Sequence, residues 1–280
     1  MEANKAQADY WASPAGLKWI QLEHALDTAM AEMLHVMLDR ASITETDRVV
    51  DIGCGTGAST LASARRVTSG EAVGVDISKP LLDRAADRAI AQGVENASFL
   101  LADAQTHAFP ANSFDVLVSR LGMSFFSDTV EALQNLGKGL KDGGRMAFVC
   151  WAPVDRNPWF NIPKKAAEER LGAAPKAVPG APGPTAFQDV DYVINLMSKA
   201  GLSNLGADAI DITLTPPGGA SGAAEAASRV GPAARIMKAH NGVESDETAI
   251  EEAVRVAFEP FDRNGQVRVP AVVNLFTCTA

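Results

Sequence analysis

Between residues 48 and 151 the apolar positions alternate between short runs and helical stripes. "RVVDI" (48–52), "AVGVDI" (72–77), "ASFLLAD" (97–103), "FDVLVS" (114–119) and "RMAFVCW" (145–151) have strand length. The first two lack alternation, as strands buried on both faces of a parallel sheet do. Helical stripes lie between them at 58–67, 78–93 and 128–140. In "SKPLLDRAADRAIAQG" the apolar residues Leu81, Leu82, Ala85, Ala86, Ala89 and Ile90 form one stripe. Ser78 predicts the N-cap, Pro80 falls in the first turn, and Gly93 predicts a left-handed stop. "KDGG" reads as the turn before the fifth strand. This alternation predicts an α/β fold, a Rossmann-like doubly wound sheet with right-handed crossovers.

The flanks follow other patterns. Residues 10–40 read as one or two helices, with Leu22, Leu26, Met30, Met33, Leu34 and Met37 on one face. Residues 152–188 read as a helix followed by an irregular excursion that holds "PKAVPGAPGPTAF". A loop of that length is commonly a lid or a binding segment. A helix at 189–201 and a strand at 207–215 follow. Residues 218–261 read as two helical pieces broken around "HNGVESDE", and "QVRVPAVVNLFTCTA" as one closing strand that returns antiparallel. The expected sheet is mostly parallel, with seven strands and an antiparallel last one. The expected organisation is one domain over 1–280. Its core is about 41–151 and 189–217 with 266–280, and its cap segments are 1–40, 152–188 and 218–261.

Composition narrows the function. The chain has 280 residues and a net charge of −9, with 47% hydrophobic and 21% charged residues. A phosphate-backbone partner needs clustered Lys and Arg, and no basic stripe is present, so nucleic acid is not expected. No apolar run approaches a membrane span. The N-terminal stretch "MEANKAQADYW" lacks the apolar region of a signal peptide. Cys54, Cys150 and Cys278 form no CxxC pair. A cytoplasmic location is the expectation. His24 and His35 stand about three helical turns apart, on the order of 16 Å. No HxxxH or HExxH spacing occurs, so no metal site is expected. Oligomeric state, monomer or homodimer, stays open.

The chemistry gathers in "VVDIGCGTGAST" (49–60). Gly53, Gly55 and Gly57 let the chain take positive φ and approach a ligand closely. The helix that follows aims unpaired N–H groups into the same space. Gly53-x-Gly55-x-x-Ala58 satisfies the dinucleotide fingerprint. Asp51-x-Gly53-x-Gly55-x-Gly57 satisfies the (E/D)xGxGxG preference of an S-adenosylmethionine (SAM) site in full. A carboxylate beside the turn suits a sulfonium amino acid and would repel pyrophosphate. Asp76, at the tip of strand two, stands where both ribose hydroxyls can be reached, and Ile77 offers an apolar platform for adenine. Asp103-Ala104, at the tip of strand three, offers an acceptor and a backbone donor to the adenine edge.

With "AVGVDIS", "FLLADAQ", "FPANSFDVLVSR" and "LKDGGRMAFVCW", these stretches resemble the class I SAM-dependent methyltransferases, in the small-molecule branch related to quinone and polyketide methyltransferases. The resemblance is close over about 45–150. It implies a SAM site lined by Asp51, Gly53, Cys54, Gly55, Gly57, Asp76, Ile77, Asp103, Ala104 and Ser119, with S-adenosylhomocysteine (SAH) as the product. It implies methyl transfer to a small, partly apolar metabolite through an O-, N- or C-acceptor. Two other readings stand beside it: an NAD(P)-dependent oxidoreductase on the same first half, and a SAM-binding sensor without turnover. His107, four residues past Asp103, is the candidate general base. Arg120 either orients an anionic substrate or pairs with a nearby acid. Tyr10, Trp11 and Trp19 are either core or a cover for the sulfonium. Trp151 and Trp159 are either a pocket wall or pins for the excursion.

Overall fold

The computed structural model describes residues 3–175 and 180–280. Part of the "PKAVPGAPGPTAF" excursion, 176–179, lies outside the described residues, as do 1–2. Seven strands form the main sheet: β1 (Arg48–Ile52), β2 (Glu71–Asp76), β3 (Ala97–Leu101), β4 (Phe114–Arg120), β5 (Leu140–Trp151), β6 (Ser203–Leu214) and β7 (Val269–Thr279). Their order is β3-β2-β1-β4-β5-β7-β6. β1 to β5 are parallel, and β7 runs antiparallel between β5 and β6. The closing strand therefore inserts inside the sheet. Strand order reverses between β1 and β4, which opens a crevice at their carboxyl ends.

Strand residues alternate between two cores. Val49, Val116, Val118 and Val149 face one; Val50, Leu117, Phe148 and Cys150 face the other. Both faces are covered, so these strands carry apolar residues at nearly every position. β3 lies at the edge and is only partly buried.

Twelve helices are described. α1 (Lys5–Trp11), α2 (Pro14–Gln21), α3 (Glu23–Ala29) and α4 (Ala31–Arg40) precede the sheet. α5 (Ala58–Arg66), α6 (Lys79–Ala91), α7 (Thr129–Gly139) and α9 (Val190–Lys199) belong to the strand–helix alternation. α8 (Pro158–Leu171), α10 (Gly219–Arg229), α11 (Pro232–Ala239) and α12 (Glu244–Phe258) form the cap. The stripe read as one or two helices over 10–40 is thus three, α2 to α4, after the end of α1. Leu22 and Met30 break it with φ near −100° and ψ near 10–20°. Such one-residue breaks turn the axis and keep the apolar side facing the core, so periodicity runs through them. The region 218–261 holds three helices, not two, because Gly231, with φ 74°, and Pro232 split it a second time. The closing strand starts at Val269, not Gln266. Gln266–Val267 pairs with Asp262–Arg263 around left-handed Asn264 and Gly265, the backbone a two-residue hairpin turn requires.

Asn157 ties the cap to the sheet. It is fully buried at the start of α8. Its amide nitrogen donates to the carbonyls of Ala152, Pro153 and Val272 at 3.1–3.2 Å, and its oxygen accepts from Val272 N at 2.9 Å. Asn157→Ala removes these four bonds, although Val272 O still accepts from Ala152 N and Pro153 O from Arg156 N. It is expected to cost about 1–3 kcal/mol, read as a lowered urea midpoint with an unchanged slope. A midpoint within error of wild type would contradict this role for Asn157.

Candidate functional site

The site begins where β1 ends. Gly53 N and Cys54 N both donate to Val75 O, at 2.8 and 3.1 Å, which bends the chain across the tip of β2. The three glycines then serve three needs. A Cβ on Gly53 would come within 2.7 Å of Gly122 Cα, and one on Gly57 within 2.9 Å of Ala85 Cβ in α6. One on Gly55 would meet nothing within 4 Å. Only the bareness of Gly55 leaves open space, and that space is part of the cavity wall.

Asp51 lies behind this turn with no exposed surface. The hydroxyls of Ser59 and Thr60, in the first turn of α5, both donate to its Oδ2 at 2.6 Å. Its Oδ1 is buried without a hydrogen-bond partner among the described residues. Burial pushes this carboxyl up to about 6; the two hydroxyls and the charge of Arg120 partly offset the rise, and neighbouring Asp76 adds to it. Ser119 Oγ donates to Ile52 O at 2.6 Å. Asp51, Gly57 and Ser119 thus build the turn from behind, and none of them lines the cavity.

A cavity of about 1400 Å³ runs from the strand tips to the cap. That volume exceeds the usual range for one small ligand and leaves room for two side by side. Gly53, Cys54, Gly55, Asp76, Ile77, Asp103 and Ala104 line its sheet end. Asp76 accepts from Gly55 N and Ser78 N, both at 2.8 Å, and keeps lone pairs free on each oxygen. Burial raises its carboxyl, and these backbone N–H groups offset the shift. Burial also pushes the Cys54 thiol well up, so it lines the wall as a neutral group.

Tyr10, Trp11, Trp19, Arg120, Trp151 and Trp159 all reach the same cavity. Trp11 meets Trp19 and Phe125 edge to face, with ring centroids 5.9 and 5.5 Å apart. Trp159 also stacks on Phe258 at 6.1 Å, and Trp151 meets the edge of Phe160 at 4.8 Å. Arg120 pairs with Asp27 of α3 at 2.8 Å.

Two residues sit differently from the sequence expectation. His107 does not line the cavity. It packs edge to face on Phe109 at 4.8 Å, and Asn135 of α7 donates to its carbonyl at 2.8 Å. No histidine lines the cavity among the described residues. Ser78 sits at the N-cap position with extended backbone, but its hydroxyl does not cap α6. It donates instead to Trp11 O at 3.0 Å, which holds the end of α1 over the site.

Sequence reasoning missed Asn4, Gln105 and Asp27. Asn4 is 5% exposed and donates to Asp103 Oδ1 and Gln105 Oε1, both at 2.9 Å, while Ser127 N donates to Asn4 Oδ1. Gln105 N also donates to Asp103. The start of α1 is thereby fastened to the tip of β3. These are single polar residues far apart in the chain, and no local pattern marks them.

Asp51 yields a pH test. Its folded-state value lies above its unfolded value, so the folded state holds the proton more readily between about pH 4 and pH 6. Its contribution to stability is greatest below that window and falls as pH rises through about 6. Asp51→Asn removes this component. The variant should gain on wild type, on the order of 3 kcal/mol, as pH goes from 4 to 7. Urea unfolding of both proteins across that range measures it, and a pH-independent difference between them would contradict it.

A methyltransferase-domain family matches residues 49–144. Aklanonic acid methyltransferase DauC of Streptomyces sp. (strain C5) is 37% identical over 125 residues, covering 44% of this chain and 56% of the relative. The ubiquinone/menaquinone biosynthesis C-methyltransferase UbiE of Azotobacter vinelandii is 36% identical over 111 residues, 39% of this chain and 44% of the relative. The chain thus spans about half the length of the curated relatives it matches. The crystal structure of YcgJ from Bacillus subtilis superposes with a TM-score of 0.55 at 22% identity, covering 89% of this chain and 98% of that one, a likeness of fold. A methyltransferase domain thus lies over the glycine turn and the three strand tips, on a sheet whose antiparallel strand sits between β5 and β6.

Proposed function

We propose that this protein transfers a methyl group from SAM to a small, partly apolar acceptor and leaves SAH. The observation that carries the reading is the pair of acids at the tips of β2 and β3, Asp76 and Asp103, on the cavity wall beside the open face of Gly55. Asp76 holds spare acceptor capacity at the cavity wall, and Asp51, behind the turn, adds a buried carboxyl with one oxygen that has no hydrogen-bond partner among the described residues. Such a wall favours a ligand rich in donors and positive charge. A dinucleotide would set its pyrophosphate against these same acids. The residues present therefore fit SAM.

When bound, SAM supplies a methyl group on a positively charged sulfur. The chain supplies position. Asp76 serves the ribose hydroxyls, Ile77 an adenine face, and Asp103 with Ala104 the adenine edge. Gly53 and Gly55 admit the nucleoside close to the backbone. Trp11 and Trp19 close the N-terminal side, where aromatic faces favour a cation.

The acceptor occupies the cap end. Trp151, Trp159, Phe160, Ile236 and Ile250 give that wall apolar surface, with Lys164, Glu168, Arg235 and Glu247 among the charged residues that also line it. Ser228 offers it a buried hydroxyl without a hydrogen-bond partner among the described residues. The two curated relatives carry names that refer to aklanonic acid and to ubiquinone/menaquinone biosynthesis, which supports a small acceptor. With no histidine among the described residues of the wall, alignment and exclusion of water carry the step.

Titration calorimetry with SAH, NAD and NADP tests the cofactor: SAH should bind, and binding of a dinucleotide in its place would favour the oxidoreductase reading. Incubation with methyl-labelled SAM and a small-metabolite extract tests turnover. Label in a small product is expected, and binding without any label would favour a sensor.

Gly55→Val should abolish SAH binding because its side chain enters open cavity space, with a stability cost of about 1–2 kcal/mol for a left-handed backbone. Gly57→Val should instead show mainly as lost stability, since it meets Ala85 and Phe99. Thermal melts alongside calorimetry separate the two, and full SAH affinity in Gly55→Val would contradict the assignment.

A further inference from the structure

Along the carboxyl edge of the sheet, the neighbours β3, β2, β1 and β4 present Asp103, Asp76, Asp51 and Arg120. Charge runs acid, acid, acid, base across three inter-strand steps, on the order of 14 Å. Arg120 is the last residue of β4. Asp51 is in register with Val118, which sets Arg120 two residues beyond Asp51 at the crevice. Gly122 follows and packs its backbone against Gly53. The arginine therefore stands beside the glycine turn, not in the cap wall.

Its side chain is 9% exposed, and it reaches the cavity. Nη2 donates to Asp27 Oδ1 at 2.8 Å. Nη1 is buried and has no hydrogen-bond partner among the described residues. A guanidinium nitrogen left so is costly unless an acceptor arrives. Asp27 is shared, because its Oδ2 accepts from Arg88 Nη2 at 2.8 Å. Arg88 in turn donates through Nη1 to the carbonyl and hydroxyl of Thr56, both at 3.0 Å. Asp27 on α3 thus links the N-terminal helices to the turn and to the tip of β4, and leaves one charged donor for an anion.

We propose that Arg120 Nη1 holds the α-carboxylate of the amino-acid end of SAM, with Asp27 as the positioning residue that presents it. The inference rests on the SAM reading above. The amine of adenine, the ribose hydroxyls and the ammonium group are donors that suit the acids. The carboxylate is the one anionic group of that cofactor, and Arg120 is the one base in the row. The N-terminal helices are thereby coupled to the cofactor through α3.

Calorimetry with SAH and with 5′-methylthioadenosine tests this, because the second ligand keeps the adenosine and thioether and lacks the amino-acid end. Wild type should bind SAH far more tightly. Arg120→Met should lose about ten- to a hundredfold on SAH and stay within about twofold on 5′-methylthioadenosine. Arg120→Lys should recover part of that loss. Asp27→Asn should show a smaller loss, also confined to SAH. Retained binding of the truncated ligand reports that the variants are folded. Unchanged SAH affinity in Arg120→Met, or equal losses on both ligands, overturns the proposal. A wild type that binds both equally overturns it alone; one that binds neither overturns the SAM reading as well.

Discussion

A carboxylate sealed from water organises this end of the molecule. Asp51 ends the buried part of β1 and receives two hydroxyls from the first turn of α5. Strand and helix can share that acid only if the five residues between them double back within a few ångströms, and the left-handed glycines make that path possible. The start of α5 favours negative charge through its unpaired N–H groups. Arg120 adds a second compensation from β4. Burial still dominates, and the ionised acid is held at a cost in the free protein.

Much of this end was legible in the sequence because each requirement restricts residue type. A doubly covered strand demands unbroken apolar runs, a reversal demands residues without Cβ, and a strand tip that meets hydroxyls demands an acid. The reading was coarser than the structure in one respect. It assigned all three glycines to the ligand. Gly53 is small for Gly122, and Gly57 for α6. Spacing identifies a position that refuses a side chain, but it does not say what fills the space.

The N-terminal and cap helices were less legible, for two distinct physical reasons. Their breaks at Leu22 and Met30 use residues that belong equally well inside a helix, so periodicity hides them. At Gly231-Pro232 and Asn264-Gly265 the local turn chemistry was present in the sequence, and a broader apolar pattern outweighed it. The long-range clamps had no signature at all. Asn4 reaches Asp103 across 99 positions and Arg120 reaches Asp27 across 93, and a lone polar residue on an amphipathic helix resembles any solvated one.

The two ends of the cavity differ in the same way. At the sheet end, recognition is polar, and a polar group with a fixed partner constrains both residue type and position. At the cap end, large apolar side chains that line the cavity also hold the cap together. Trp159 lines the cavity and stacks on Phe258, so the contact that would orient an acceptor is also one that orders α8 against α12. Residue type cannot separate pocket from core there. A wall of that kind can change the shape it admits by exchanging one apolar side chain for another while the strand tips stay as they are. A family that keeps one cofactor and varies its acceptors would therefore hold the sheet end constant and let the cap drift, which is the distribution of signal met along this chain.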